Sequence, residues 1–272
     1  MDVLGFIEGL GVVPVVVIED PSKAVPLAKA LIDGGIPCAE VTFRTAAAAE
    51  AMKRMSQAYP DLVLGAGTVV TVDQAVQAMA SGARFLVSPG YDQTLVDWAK
   101  ANGVSYFPGV STASEVQVAV ASGFEVLKFF PAEACGGVGM IKNLCGPFPK
   151  VRFMTTGGIS MANIAQYAAS PNVVAVGGSW MVKSALIEKE DWSGISKLCR
   201  EARLAMQGFS VKGFGVSEVC LSSYNVERAL AYLESQSFLP ETDGAVHDQK
   251  GRVVECCARR NGEGLRIRVV KA

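Results

Sequence analysis

One repeat constrains this chain more than any other feature. Short, β-branched apolar runs recur at residues 12–18, 38–42, 62–65, 85–88, 105–107, 126–129, 152–155 and 173–176. Their starts lie about 20–26 residues apart, the length of one strand, one helix and two short loops. The stretches between read as helices. Residues 22–33 open on Ser22 and end at Gly34-Gly35, 72–80 follow Thr71 and end at Ser81-Gly82, and 112–121 end at Ser122-Gly123; a capping hydroxyl at the start and glycine after the end are helix boundaries. Strands apolar on both faces belong to a buried parallel sheet. Eight such units predict an α/β fold of the (β/α)8 TIM-barrel type. The alternative is an open doubly wound sheet. That fold would carry a glycine-rich nucleotide turn after its first strand, where this chain has Glu19-Asp20-Pro21.

Composition narrows the functional classes. Half of the 272 residues are hydrophobic and 19% are charged, so a large core is available. The net charge of -1, with no dense basic patch, argues against nucleic-acid binding. The run at 12–18 is too short to span a bilayer, and the start lacks the basic segment of a signal peptide. Seven cysteines without metal-ligand spacing fit a reduced, cytoplasmic setting. His247 is the single histidine, which removes two-His zinc sites and Ser-His-Asp triads.

The repeat stops near Gly208, after a helix expected over 192–206. Residues 1–208 therefore read as the barrel. Residues 209–272 read as a small α+β extension of βαββ order: a strand at 216–221, an amphipathic helix at 226–235, and strands at 251–257 and 265–270 joined by a turn at Asn261-Gly262. So small a piece is expected to pack on the barrel or on a neighbouring subunit.

Barrel enzymes keep their chemistry at the C-terminal ends of the strands. There the chain places Glu40 and Arg44, Gly67-Thr68, Ser88-Pro89-Gly90, Lys128-Phe129-Phe130, Thr156-Gly157-Gly158 and Gly177-Gly178-Ser179. Lys128 stands in an apolar run, Val126-Leu127-Lys128-Phe129-Phe130. Burial disfavours a charged amine, and a neutral amine can attack a ketone to form a Schiff base. The plainer reading is a strand-end lysine with its head in water. Glu40, also in an apolar strand, could shuttle protons or could simply pair with Lys128 or Arg44. Arg44 could clamp a carboxylate or remain solvated. The two Gly-Gly loops after strands seven and eight match a frequent barrel phosphate pocket, although such turns also merely end strands.

Together these motifs resemble the KDPG (2-keto-3-deoxy-6-phosphogluconate) aldolase / 4-hydroxy-2-oxoglutarate aldolase family. The matching stretches include Glu40-Val41-Thr42-Phe43-Arg44-Thr45, Gly65-Ala66-Gly67-Thr68, Ser88-Pro89-Gly90, Pro108-Gly109-Val110-Ser111-Thr112, Lys128-Phe129-Phe130-Pro131-Ala132-Glu133 and Gly177-Gly178-Ser179-Trp180. They occur in family order over residues 1–208. The resemblance implies a class I, trimeric aldolase acting on a small keto-acid without metal or other cofactor. Lys128 would form the imine and Glu40 would be the acid/base. Arg44, Thr68 and Thr156 would hold the pyruvyl oxygens, with Pro89 and Phe130 as walls. Gly157, Gly158, Gly178 and Ser179 would receive the phosphate. The sister family acting on the galactonate epimer matches less well after Glu40 and after Lys128. Phe43 departs from the family's usual leucine. The extension exceeds the family's usual length; its order weakly resembles half of a glyoxalase-type module, and a role in assembly or regulation is expected. A non-catalytic sugar-phosphate sensor is the rival of another class.

Overall fold

A computed structural model describes residues 2–214, 218–260 and 266–272. An N-terminal helix α1 (Val3–Leu10) leads into β1 (Val12–Val16). The alternation then runs α2 (Ala24–Asp33), β2 (Cys38–Thr42), α3 (Ala48–Ala58), β3 (Val63–Gly67), α4 (Val72–Ala80), β4 (Phe85–Val87), α5 (Gln93–Ala101), β5 (Ser105–Phe107), β6 (Gly109–Val110), α6 (Ala113–Ala121), β7 (Val126–Phe129), α7 (Gly137–Cys145), β8 (Arg152–Thr156), α8 (Ile164–Ala169), β9 (Val173–Gly178), α9 (Ser184–Glu188) and α10 (Trp192–Gln207).

The parallel sheet has the order β5-β4-β3-β2-β1-β9-β8-β7-β6. Its two ends, β5 and β6, are separated only by Pro108. They are one strand of the expected eight, so the sheet comes round on itself as a barrel. Proline cannot donate to a ladder, and the strand changes partner there: β5 pairs with β4 and β6 with β7. The Pro108 carbonyl still accepts from the Lys128 amide at 2.9 Å. Strands β1, β2, β3 and β9 are buried along their whole length, which is why they read as apolar runs.

The extension holds more strands than expected. Its order is β10 (Ser210–Phe214), β11 (Glu218–Ser223), α11 (Val226–Ser235), β12 (Phe238–His247), β13 (Val253–Arg260) and β14 (Arg266–Lys271). This corrects βαββ to ββαβββ. The five strands form one sheet, β10-β11-β14-β13-β12. The expected turn at Asn261-Gly262 lies outside the described residues, as do positions 216 and 217 of the expected strand. Helix α11 packs on this sheet through Val226, Ala229, Leu230 and Leu233, against Cys256, Ala258 and Val269.

The extension docks on the barrel's floor, the end where strands begin. The fully buried Arg228 of α11 donates to the carbonyls of Val173 (3.3 Å) and Val174 (2.9 Å) on β9, Met206 (3.4 Å) on α10 and Glu8 (3.3 Å) on α1. Gly11 admits it: a Cβ there would stand 2.6 Å from Arg228 Nε. Burial lowers the Arg228 pKa to about 10 against the raising influence of Glu8, so it is a cation at neutral pH. No helix among the described residues is long and apolar enough to cross a membrane.

Candidate active site

Lys128 on β7 and Glu40 on β2 come from strands far apart in sequence, and the barrel aims both inward. The Lys128 ammonium donates to Glu40 Oε1 at 3.3 Å. Their side chains are 5% and 0% exposed, so the Lys128 head is not in water as its plainer reading would have it, while Glu40 does make the pair with Lys128 that its plainer reading allowed. The second Glu40 oxygen, Oε2, is buried without a hydrogen-bond partner among the described residues. Gly67 makes room for the carboxylate, because a Cβ there would collide with Glu40 Oε1. The Lys128 Nζ also sits 5.2 Å from the centroid of the Phe130 ring, a cation–π distance.

A cavity of about 170 Å³ lies at the C-terminal ends of the strands, lined by Arg44, Phe130, Thr156, Gly157, Gly158, Gly178 and Ser179 among others. The structure thus gathers seven of the residues singled out from sequence around one space. Arg44 Nε donates to Thr68 Oγ1 at 3.2 Å, which ties Thr68 to that space. Thr68 adopts φ +58°, an uncommon left-handed conformation for a β-branched residue. Thr156 Oγ1 is buried and has no partner among the described residues. Two unpartnered buried oxygens, on Glu40 and Thr156, are costly features; Thr156 lines the cavity, where a bound polar ligand would satisfy it, whereas Glu40 and Lys128 are not among the cavity's lining residues. Pro89 is placed differently: it lines a neighbouring depression of about 190 Å³ with Val69 and Tyr91.

The glycine loop is shaped by close approach. Gly157 and Gly158 adopt φ +108° and +78°. A Cβ on Gly158 would stand 2.7 Å from Glu133 Cβ, and a Cβ on Gly178 would overlap the Trp180 ring. Glycine is required at these positions because neighbouring side chains pack where a Cβ would stand, and the backbone that results lines the cavity.

Several supporting residues were not singled out from sequence. Glu133 accepts a short hydrogen bond from Tyr167, and burial, followed by this carboxylate, pushes the Tyr167 pKa up. The pair fixes the loop after β7, whose Glu133 amide also donates to the Gly157 carbonyl at 3.0 Å. Tyr106, pushed up to about 12 by burial, lies 2.7 Å from Ser88 Oγ, which in turn donates to Gly90 O and braces the Pro89 turn. Thr45 Oγ1 donates to Ile18 O at 2.7 Å and anchors the Arg44 loop. Glu133 was visible inside a motif; the two tyrosines carried no signal, since a tyrosine on a helix or strand reads as core.

Comparison with known proteins gives the chain a family. The family model "KDPG and KHG aldolase" matches residues 6–198. The 2-dehydro-3-deoxy-phosphogluconate aldolase of Treponema pallidum is 49% identical over 195 residues, 72% of this chain and 93% of that protein. The KHG/KDPG aldolase of Escherichia coli K12 is 43% identical, over 70% of this chain and 90% of that protein. A crystal structure of the Legionella pneumophila KDPG aldolase, holding pyruvate as a covalent carbinolamine intermediate, superimposes with a TM-score of 0.71 at 41% identity. It covers 73% of this chain and 97% of that one.

Proposed function

Because this chain belongs to the KDPG and KHG aldolase family, and is thus a class I carbon–carbon lyase, we propose that it cleaves 2-keto-3-deoxy-6-phosphogluconate to pyruvate and glyceraldehyde 3-phosphate through an imine on Lys128. The observation that carries this reading is the buried 3.3 Å contact between Lys128 Nζ and Glu40 Oε1. A proton passed across it turns ammonium and carboxylate into amine and carboxylic acid. The nucleophile and the acid are then made in one step.

The Lys128 amine attacks the C2 ketone. Glu40 protonates the carbinolamine hydroxyl, which leaves as water, and the cationic imine forms. The C3–C4 bond then breaks, its electron pair flowing into the imine, while Glu40 takes the C4 hydroxyl proton. Glyceraldehyde 3-phosphate departs and an enamine remains. Protonation at C3 and hydrolysis release pyruvate and restore Lys128. Proton transfer by a positioned group contributes about 10²–10⁴-fold. Arg44, Thr68 and Thr156 hold the pyruvyl carboxylate and neighbouring oxygens, Phe130 walls the pyruvyl half, and Gly157, Gly158, Gly178 and Ser179 receive the phosphate, while Pro89, in its separate depression, supports the turn beside the site. Activity on 4-hydroxy-2-oxoglutarate belongs to the same proposal, since that substrate shares the pyruvyl half. So do a homotrimeric state, a cytoplasmic setting and a barrel domain over 1–208, which rest on the family resemblance and the repeat.

Incubation with pyruvate and sodium borohydride tests the mechanism. A pyruvyl mass should appear on Lys128, and Lys128→Ala should lose adduct and cleavage while keeping its circular dichroism. An adduct on another lysine would assign the amine elsewhere.

A further inference from the structure

A second cavity, of about 460 Å³, opens at the opposite end of the barrel, between the floor and the C-terminal extension. Its walls carry five cationic side chains, Lys150 and Arg152 from the barrel and Lys250, Arg252 and Lys271 from the extension. Two of these are already committed. Glu8 grips Arg152 with both oxygens at 2.8 Å, and Asp248 holds Arg252 at 2.7 Å. The other wall carboxylate, Glu227, accepts from the Val253 amide at 3.1 Å. Lys150, Lys250 and Lys271 have no ion-pair partner among the described residues. A concave wall whose cations outnumber its carboxylates focuses a positive field on the space between and attracts anions.

The cleft is preformed. Its two walls are tied together by Arg228, whose guanidinium reaches carbonyls on three barrel elements. The Lys271 pKa is held below the usual lysine value, first by burial and then by Arg252; an anion seated there would relieve that.

The chemistry of the free cations selects among anions. Arginine's planar fork matches carboxylate and phosphate alike, whereas lysine is a compact point charge that attracts the more highly charged, more charge-dense anion more strongly. Both guanidinium groups here already hold a carboxylate, and three lysines remain. We propose that this cleft binds a small phosphate-bearing polyanion, seated between Lys150 of the barrel and Lys250 and Lys271 of the extension. Such a ligand would bridge the two parts of the molecule at the end remote from Lys128.

Calorimetric titration of the full-length protein with inorganic pyrophosphate at low salt tests this. The triple variant Lys150→Gln/Lys250→Gln/Lys271→Gln should bind at least about tenfold more weakly than wild type, with kcat/KM for keto-acid cleavage unchanged. A control triple, Lys53→Gln/Lys189→Gln/Lys197→Gln, should bind as wild type does. In wild type, pyrophosphate should slow amide exchange at both 150–152 and 250–253, and should bind more tightly than citrate. Equal weakening in both triples would reduce the effect to diffuse surface charge and overturn the proposal. Unchanged affinity in the first triple would place the ligand elsewhere, including the upper cavity, and overturn it too. A preference for citrate would overturn the assignment to phosphate.

Discussion

At the scale of single residues, the site is built from groups that are expensive for a folded chain to keep. Lys128 and Glu40 were legible as charges in apolar strands, because burial of a charge is a rule that sequence can be seen to break. Their 3.3 Å contact was not legible, since nothing local ties residue 40 to residue 128. Thr156 is the reverse case: its type is ordinary at a strand end, and only the structure shows Oγ1 buried without a partner. That orphaned hydroxyl makes opposite predictions for stability and for activity. Valine has nearly the same shape and removes the unsatisfied group, so Thr156→Val should hold or raise stability, by about 1 kcal/mol. The same change removes a cavity-lining hydroxyl that we propose holds the substrate, and should lower kcat/KM roughly tenfold or more. Thermal melts and steady-state kinetics on one preparation check both signs; a variant that keeps full turnover would remove Thr156 from substrate binding.

Among elements, those that sequence revealed and those that it hid differ in what stabilises them. The buried parallel strands announce themselves through continuous apolar runs. The unread strands β10 and β12 are the two edges of the extension's sheet. Edges tolerate proline and interrupted pairing: β12 contains Pro240 and Gly244 and shifts register between Glu241 and Val246, while β10 shifts around Gly213. Helix α1 escaped for another reason. It has eight residues with Gly5 and Gly9 among them, so its intrinsic propensity is poor, and the Asp2 cap and packing hold it instead. Helix α6 shows what a legible start contains. Thr112 and Glu115 form a capping box, and Glu115 Oε2 accepts from the amides of Ser111 and Thr112, each at 2.8 Å. Burial pushes the Glu115 pKa up, but these bonds prevail and hold it below its ordinary value. A depressed folded-state pKa means stabilisation present above the usual carboxylate value and lost as pH falls through the lower one. Glutamine keeps the box but loses the charge, so Glu115→Gln should cost about 0.5 kcal/mol near neutral pH, and the gap in urea midpoint from wild type should close as pH falls below the ordinary carboxylate value. A gap independent of pH would mean that the carboxylate charge plays no part in the cap.

At the scale of the whole molecule, the barrel's closure was readable from the count of repeats, but the docking of the extension was not. Arg228 lies on an amphipathic helix, where sequence alone assigns an arginine to solvent. Its partners at residues 8, 173, 174 and 206 are near it only in the folded chain. Gly11 carries the complementary feature, an open face at φ +72° against the guanidinium, and nothing in the sequence marks it. The two positions can be tested against each other. Gly11→Ala should suffer twice over, from about 1 kcal/mol of left-handed strain and from collision with Arg228. Arg228→Ala should cost about 3 kcal/mol by opening a cavity and removing donors from buried carbonyls. In the double variant the collision has no partner, so Gly11→Ala should retain only its backbone strain. The cycle should then show a coupling of about 1 kcal/mol or more between residues 217 positions apart. Denaturant unfolding of the four proteins measures it, and strict additivity would mean that the extension does not rest on the barrel floor through this clasp.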